Sequence, residues 1–146
     1  MIRIDNPVTY AALRQQRVLQ CLVEKRMEPW TVLENENCLA FLDAQPVARY
    51  HTLVIPKAHY QNVLDVPAPV LQEVTEMMRQ VCQLYQEKLG IDSFQFFNNT
   101  GPHSAQTVWH LHFHILPRFE GDAISFHAHR MPQLIQQYPE MLAKLK

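Results

Sequence analysis

The run His110-Leu-His112-Phe-His114-Ile-Leu116 restricts what this chain can fold into more than any other stretch. Three imidazoles alternate with apolar residues, which is the period of a strand and not of a helix. The spacing predicts a strand with Val108, His110, His112 and His114 on one face and Trp109, Leu111, Phe113 and Ile115 on the other. The second face has a core to fill, so the histidine face is left to line a surface or cleft. Imidazole titrates near neutrality and serves as acid, base, nucleophile or metal ligand, so a row of it points to chemistry.

The rest of the sequence supplies that strand with a domain. At 146 residues the chain is read as a single domain over 1–146, long enough to bury roughly two-thirds of its unfolded surface. The net charge of −1 gives no long-range attraction to nucleic acid or to an anionic membrane. An anionic ligand must then be held locally, and the histidines and Arg118 are the local donors. Cys21, Cys38 and Cys82 form no disulfide framework, which points to a reducing, cytoplasmic setting. The N-terminus has no apolar signal region, and no window approaches the eighteen apolar residues of a membrane span.

Along the chain, Asn6-Pro7 reads as a helix start, with Val8, Ala11, Ala12, Leu13, Val18 and Leu19 as an apolar stripe. Short strands are expected at Trp30–Glu34, Cys38–Leu42 and His51–Ile55, the last ended by Pro56. Between Pro69 and Gly90, apolar residues from Val70 to Leu89 recur at helical spacing, and Gly90 stands where a C-terminal cap belongs. The Met77-Met78 pair in that stripe is read as core. Phe94–Asn98 alternates like a strand, and Pro132 and Pro139 break the tail into helical pieces. Strands before and after one long helix predict an α+β domain with a largely antiparallel sheet of about five strands flanked by helices.

The loop Asn99–Thr107 runs directly into the histidine strand. Its glycine, short polar side chains and free N–H groups suit a phosphate or another oxyanion. An imidazole with one unprotonated nitrogen can attack phosphorus, and His112, with a histidine on each side, is the best-supported nucleophile. A metal site on the same row and three merely structural histidines are the competing readings. His127 and His129 repeat the two-residue spacing but read as a solvated loop, with no cysteine or carboxylate clustered beside them.

These residues resemble the histidine triad (HIT) superfamily of nucleotide-binding hydrolases and transferases, whose signature is His-φ-His-φ-His-φ-φ with φ apolar. The likeness extends to Cys38-Leu-Ala-Phe-Leu-Asp43, His51-Thr-Leu-Val-Ile-Pro-Lys-Ala-His59, Asn99 with Gly101, Gln106-Thr107-Val108 and Pro117-Arg118. It makes residues 30–119 the core, with 1–29 a helical extension and 120–146 a tail. The resemblance implies that His112 receives the nucleotidyl group, that His114 contacts the α-phosphate, and that His110 and His51 orient the triad. It places Asp43 on the ribose hydroxyls, Phe41, Leu42 and Leu53 around the base, and Asn99, Gln106 and Thr107 on the phosphate side.

The resemblance further implies a homodimer and a purine nucleotide substrate cleaved at its α-phosphate, with a phosphoramidate or a dinucleoside polyphosphate as alternatives. A nucleotide-binding regulatory protein with little turnover, or a metal-binding protein using the histidine row, are the alternatives from other classes. No cofactor or metal is expected in the site. Two departures stand out. Ser104-Ala105 occupies a place where relatives often carry a Gly-Gly pair. Cys21-Leu-Val-Glu24 stands where many carry a zinc-binding Cys-x-x-Cys, leaving Cys21, Glu24, His51 and His110 as the available ligands.

Overall fold

A computed structural model of the chain describes residues 30–126 and 128–146. The expected N-terminal helix, Cys21, Glu24 and His127 lie outside them. Five strands form one antiparallel sheet: β1 (Thr31–Glu34), β2 (Cys38–Leu42), β3 (Thr52–Pro56), β4 (Phe94–Phe97) and β5 (Phe113–Pro117). Their spatial order is β1-β2-β3-β5-β4. One long helix, α1 (Ala68–Leu89), packs on the sheet, and a short helix, α2 (Tyr138–Ala143), closes the tail. This is the α+β architecture that the alternating segments predict. No helix among the described residues is long and apolar enough to cross a membrane.

Helix α1 follows from its sequence. Pro67 precedes it and Pro69 lies in its first turn, where a missing N–H costs nothing. Gly90 ends it at φ 68°, donating its N–H to Gln86, a left-handed cap that a side chain would disfavour. Val74, Met77, Met78, Val81 and Tyr85 are its buried stripe. They pack on Cys38, Ala40, Val54 and Ile115 of the sheet. The buried Thr52 hydroxyl and the Tyr85 hydroxyl satisfy each other at 2.7 Å.

The opposite face of the sheet carries the site. Cross-strand pairs Leu39↔Ile55 and Phe41↔Leu53 build its small apolar floor, with Val108 packed against it. His114 pairs with Leu53 on one side and Phe97 on the other, so its ring emerges beside that floor. The strand expected from residue 108 is shorter than its alternation suggests. Pairing begins only at Phe113, and residues 108–110 bend. The reason is a change of partner: the Leu111 amide donates to the Tyr60 carbonyl at 2.7 Å instead of to a neighbouring strand.

Candidate active site

A cleft of about 290 Å³ opens on the histidine face. His51, His112 and His114 line it, together with Asp43, Leu53, Asn99, Gln106 and Thr107. Gln45, Val47, Phe97, Ala105 and Val108 complete the wall. Of the residues singled out in the sequence, Phe41 is buried within the apolar floor, outside the cleft lining, with Leu53 and Val108 packed against its cluster. Leu42 stands partly buried on β2, outside the lining. His110 is also outside it: its ring is only 3% exposed and turns toward Pro56 and His59.

Backbone partners fix the protonation pattern of each ring. The His112 Nδ1 lies 2.8 Å from the His110 carbonyl, which only accepts, so Nδ1 carries the proton and donates. Its Nε2 is therefore the lone-pair nitrogen. No buried side-chain nitrogen or oxygen among the described residues lacks a partner. Nε2 of His112 has no hydrogen bond there, so it is reached from the cleft.

The Val47 amide donates to His51 Nδ1 at 3.2 Å, which leaves the His51 proton on Nε2. That nitrogen lies 2.9 Å from His114 Nδ1, to which it donates. The His114 proton is then on Nε2, facing the cleft. His110 Nε2 donates to the Pro56 carbonyl at 2.9 Å, so its Nδ1 accepts from His59 Nδ1 at 3.0 Å. One ring thus offers a lone pair to the cleft and its neighbour offers an N–H. Their centroids are 5.1 Å apart.

Burial holds all four rings neutral. It pulls the His110 imidazole down to about 4 and, aided by His112 and His51, His114 down to about 3. His112 and His51 are lowered for the same first reason, with Asp43 opposing the shift at both. A neutral His112 keeps its lone pair at physiological pH.

The loops that frame the rings are braced from within. Gln106 is buried, and its side chain is fully engaged: Nε2 donates to the Gln61 and Val108 carbonyls, and Oε1 accepts from the Gly101 amide and from Asn62 Nδ2. It ties the phosphate-side loop to the turn after β3. Asn98, which sequence reasoning passed over, donates to the His112 carbonyl at 2.8 Å and steadies the backbone of that ring. Its alternation marked it only as a strand end. His59, which the sequence singles out only as the end of the His51–His59 stretch, is the partner of His110. Gly101 adopts φ 92°, the positive value that its loop position suggested, and Ala105 adopts φ 61° without being glycine.

The expectation that Arg118 serves as an anion donor is corrected. Its guanidinium donates twice to Asp122, at 2.8 and 2.6 Å, once to Gln95 Oε1 and once to the Ile124 carbonyl. That wiring spends the cation on the tail.

Asp43, His51 and His114 bring three possible metal-ligand atoms within 4.8 Å of one another. The fit is poor, because a ligating His51 Nε2 must be unprotonated and its proton would move to Nδ1, against the Val47 N–H. His51 and His110 also face different partners, so one ion does not take both without breaking these bonds.

An uncharacterised HIT-like protein of Methanocaldococcus jannaschii is 42% identical over 91 residues, 62% of this chain and 70% of that one. An adenylylsulfatase of Arabidopsis thaliana is 28% identical over 120 residues, 82% of this chain but only 61% of that protein's length. A zinc-bound histidine triad family protein of Mycobacterium smegmatis has the same fold, with a TM-score of 0.70 at 29% identity over 88% of this chain and 96% of that one. The HIT domain family matches residues 25–121, which hold the sheet, α1 and the cleft, and the chain belongs to that family.

Proposed function

We propose that this chain is a nucleotide hydrolase that cleaves at the α-phosphate through a nucleotidyl intermediate on His112. Family membership and the likeness to an adenylylsulfatase support nucleotide hydrolysis or binding in general terms. The observation that carries the finer reading is the 2.8 Å bond from His112 Nδ1–H to the His110 carbonyl. It holds the ring so that the Nε2 lone pair meets a phosphorus atom in the cleft.

In the first step Nε2 bonds to phosphorus, the bond from phosphorus to the leaving group breaks with its electron pair going to that group, and an amine leaving group takes up a proton from solvent as it departs. The His114 Nε2–H donates a hydrogen bond to the oxygens on which charge develops. In the second step a water oxygen attacks phosphorus, the N–P bond breaks, and the water proton passes to solvent. Asp43 lines the cleft and suits the ribose hydroxyls, and Leu53, with Val108 beside it and Phe41 buried behind, suits a purine base, while Leu42 stands outside the lining. Asn99 and Thr107 stand on the phosphate side, with Gln106 bracing them. The leaving group is an amine, as in a phosphoramidate, or a phosphate, as in a dinucleoside polyphosphate.

The proposed enzyme is a cytoplasmic homodimer of single-domain chains with an N-terminal extension and a C-terminal tail. The exposed Phe96 on edge strand β4 and Leu89 at the end of α1 offer the apolar surface for such a dimer. Sedimentation is expected at twice the 17.1 kDa chain mass.

The deciding experiment incubates the protein with adenosine and guanosine phosphoramidates and with dinucleoside polyphosphates, then measures product and quenched protein mass. A nucleotidyl adduct is expected on wild type and absent from His112→Ala. That variant should lose on the order of 10³ or more in turnover while nucleotide binding stays within roughly tenfold. Retention of more than about a tenth of the activity would sink the assignment and point to an activated water instead.

A further inference from the structure

The segment after β5 is wired more heavily than a loop needs to be. Arg118 grips it through Asp122 and the Ile124 carbonyl while also holding Gln95 on β4. Asp122 accepts in addition from the Phe119 and Ile124 amides, and the Arg118 side chain holds its carboxyl well below the usual carboxylate range. The Arg49 guanidinium lies 5.8 Å over the Phe119 ring, tying the same segment to the loop that leads into His51. What this clasp delivers is one aromatic ring. Phe126 sits 6.0 Å from Phe97 in a tilted pair, and Phe97 is stacked on His114 at 4.1 Å with only 13° between the planes.

We propose that Phe126, held by the Arg118 clasp, is a positioning residue that acts through Phe97 to keep the His114 ring in place and shielded from water. The proposal rests on the reading of His114 as the N–H donor of the cleft. His114 receives one bond, from His51, and its second nitrogen must face substrate, so no hydrogen bond fixes its tilt about that contact. The Phe97 face supplies the missing constraint. Phe97 itself belongs to a four-residue edge strand and needs support from beyond the sheet. Phe126 is 54% exposed, yet its backbone is led there by the clasp. Aromatic pairs of this kind are worth roughly 0.5–1.5 kcal/mol beyond burial, enough to bias a side-chain orientation without deciding the fold.

The test uses the full chain and two readouts. The first is deuterium exchange at the carbon between the ring nitrogens of each histidine, followed by mass spectrometry at neutral pH, which reports ring solvation without any substrate. The second is the separation of kcat from KM on whichever nucleotide the wild type turns over. Phe126→Ala should speed exchange at His114 by at least about threefold, as water reaches the ring, and leave His110 unchanged. It should lower kcat by roughly fivefold or more, with KM within about twofold, because the misplaced donor acts in the transition state. Phe126→Tyr should restore both values.

Arg118→Met, which releases the clasp while Phe126 remains, should reproduce the alanine variant. The double variant should be no worse than either alone, since both act through one contact. Unchanged His114 exchange in both single variants would overturn the proposal, as would an equal loss in Phe126→Tyr. A protein with accelerated His114 exchange and no hydrolysis even as wild type would uphold the clasp and discard the hydrolase reading. If Phe126→Ala fails to fold, Phe126→Leu provides the same comparison.

Discussion

His51 Nε2 lies 2.9 Å from His114 Nδ1, and the proton between them belongs to His51 because the Val47 amide already occupies the other nitrogen of that ring. A single backbone N–H on the loop after β2 thereby decides that His114 presents a donor to the cleft. Asp43 Oδ2, 3.4 Å from the same His51 nitrogen, adds a weaker acceptor to the contact.

His51→Phe keeps a flat ring in the site but removes both hydrogen bonds. His114 is then free to carry its proton on either nitrogen, and part of the population faces substrate with a lone pair. Turnover should fall at least about tenfold, within the range known for a triad ring left in the wrong tautomer, which reaches about 10⁴. The comparison of interest is His51→Gln, whose amide can donate toward His114. It should lose less than His51→Phe, and equal losses would show that the tautomer is not what His51 controls.

Metal removal should leave turnover unchanged. The one cluster of metal-ligating type among the described residues is Asp43, His51 and His114. Its central ring has an N–H donor where a ligating imidazole needs an acceptor. Protein dialysed against chelator should hydrolyse nucleotide at the rate of untreated protein, and activity restored only by added zinc would refute this.

Ala105 offers a stability gain. It holds φ 61° in the loop leading to the triad, a conformation that costs an L-residue roughly 1–2 kcal/mol and glycine almost nothing. Part of the gain is offset by the greater freedom of glycine in the unfolded chain. Ala105→Gly should therefore stabilise by up to about 1 kcal/mol, seen as a rise in melting temperature of a few degrees. Because Ala105 lines the cleft, the measurement should be made without nucleotide.

Much of this was legible in the sequence, and what was not shares one physical cause. The strands of β1 to β4 and the stripe of α1 follow from local periodicity, and Gly90 marks its own cap. The histidine row was recognised by its alternation, but its outcome depends on partners far along the chain. The Pro56 carbonyl draws His110 away from the cleft, and Tyr60 takes the Leu111 amide that a longer strand would have paired. Arg118 looked like a free cation because Gln95 becomes its partner only once β4 and β5 are side by side, and Asp122 only once the turn after β5 folds back. Gln106 looked like a phosphate ligand because nothing local shows that Asn62, Gly101 and Gln61 consume its amide. Alternation predicts which residues share a face, and tertiary hydrogen bonds decide which of them remain available.

Acid should destabilise the fold before it reaches the carboxylates. In the unfolded chain each histidine titrates near 6.5, whereas burial holds His110 at about 4 and His114 at about 3 in the folded one. Between those values the unfolded state binds more protons, so stability is complete above pH 6.5 and falls as the pH drops. Each such site loses roughly 1.4 kcal/mol per pH unit across that window. Urea midpoints measured at pH 7.5, 6 and 5 should decline in order, and His110→Gln should flatten part of the slope. A midpoint constant from 7.5 to 5 would contradict the buried neutral rings.

Four hydrogen bonds from Gln106 hold the phosphate-side loop against the turn at 60–62. Gln106→Leu preserves approximate volume but orphans the Gly101 amide and the Gln61 and Val108 carbonyls, and it deprives Asn62 of its acceptor. Leaving a buried polar group unpaired costs about 1–3 kcal/mol, with water able to repair the more exposed of these sites. A net loss of about 2–4 kcal/mol is therefore expected in denaturant unfolding. Gln106→Glu separates the two halves of the network. Its carboxylate still accepts from Gly101 and Asn62 but cannot donate to Gln61 and Val108. Its stability should fall between wild type and leucine, and it should drop further as the pH rises and the carboxyl ionises in its buried position. If Gln106 instead contacted substrate directly, both variants would raise KM while leaving the unfolding midpoint near that of wild type, and the bracing role assigned to it here would be wrong.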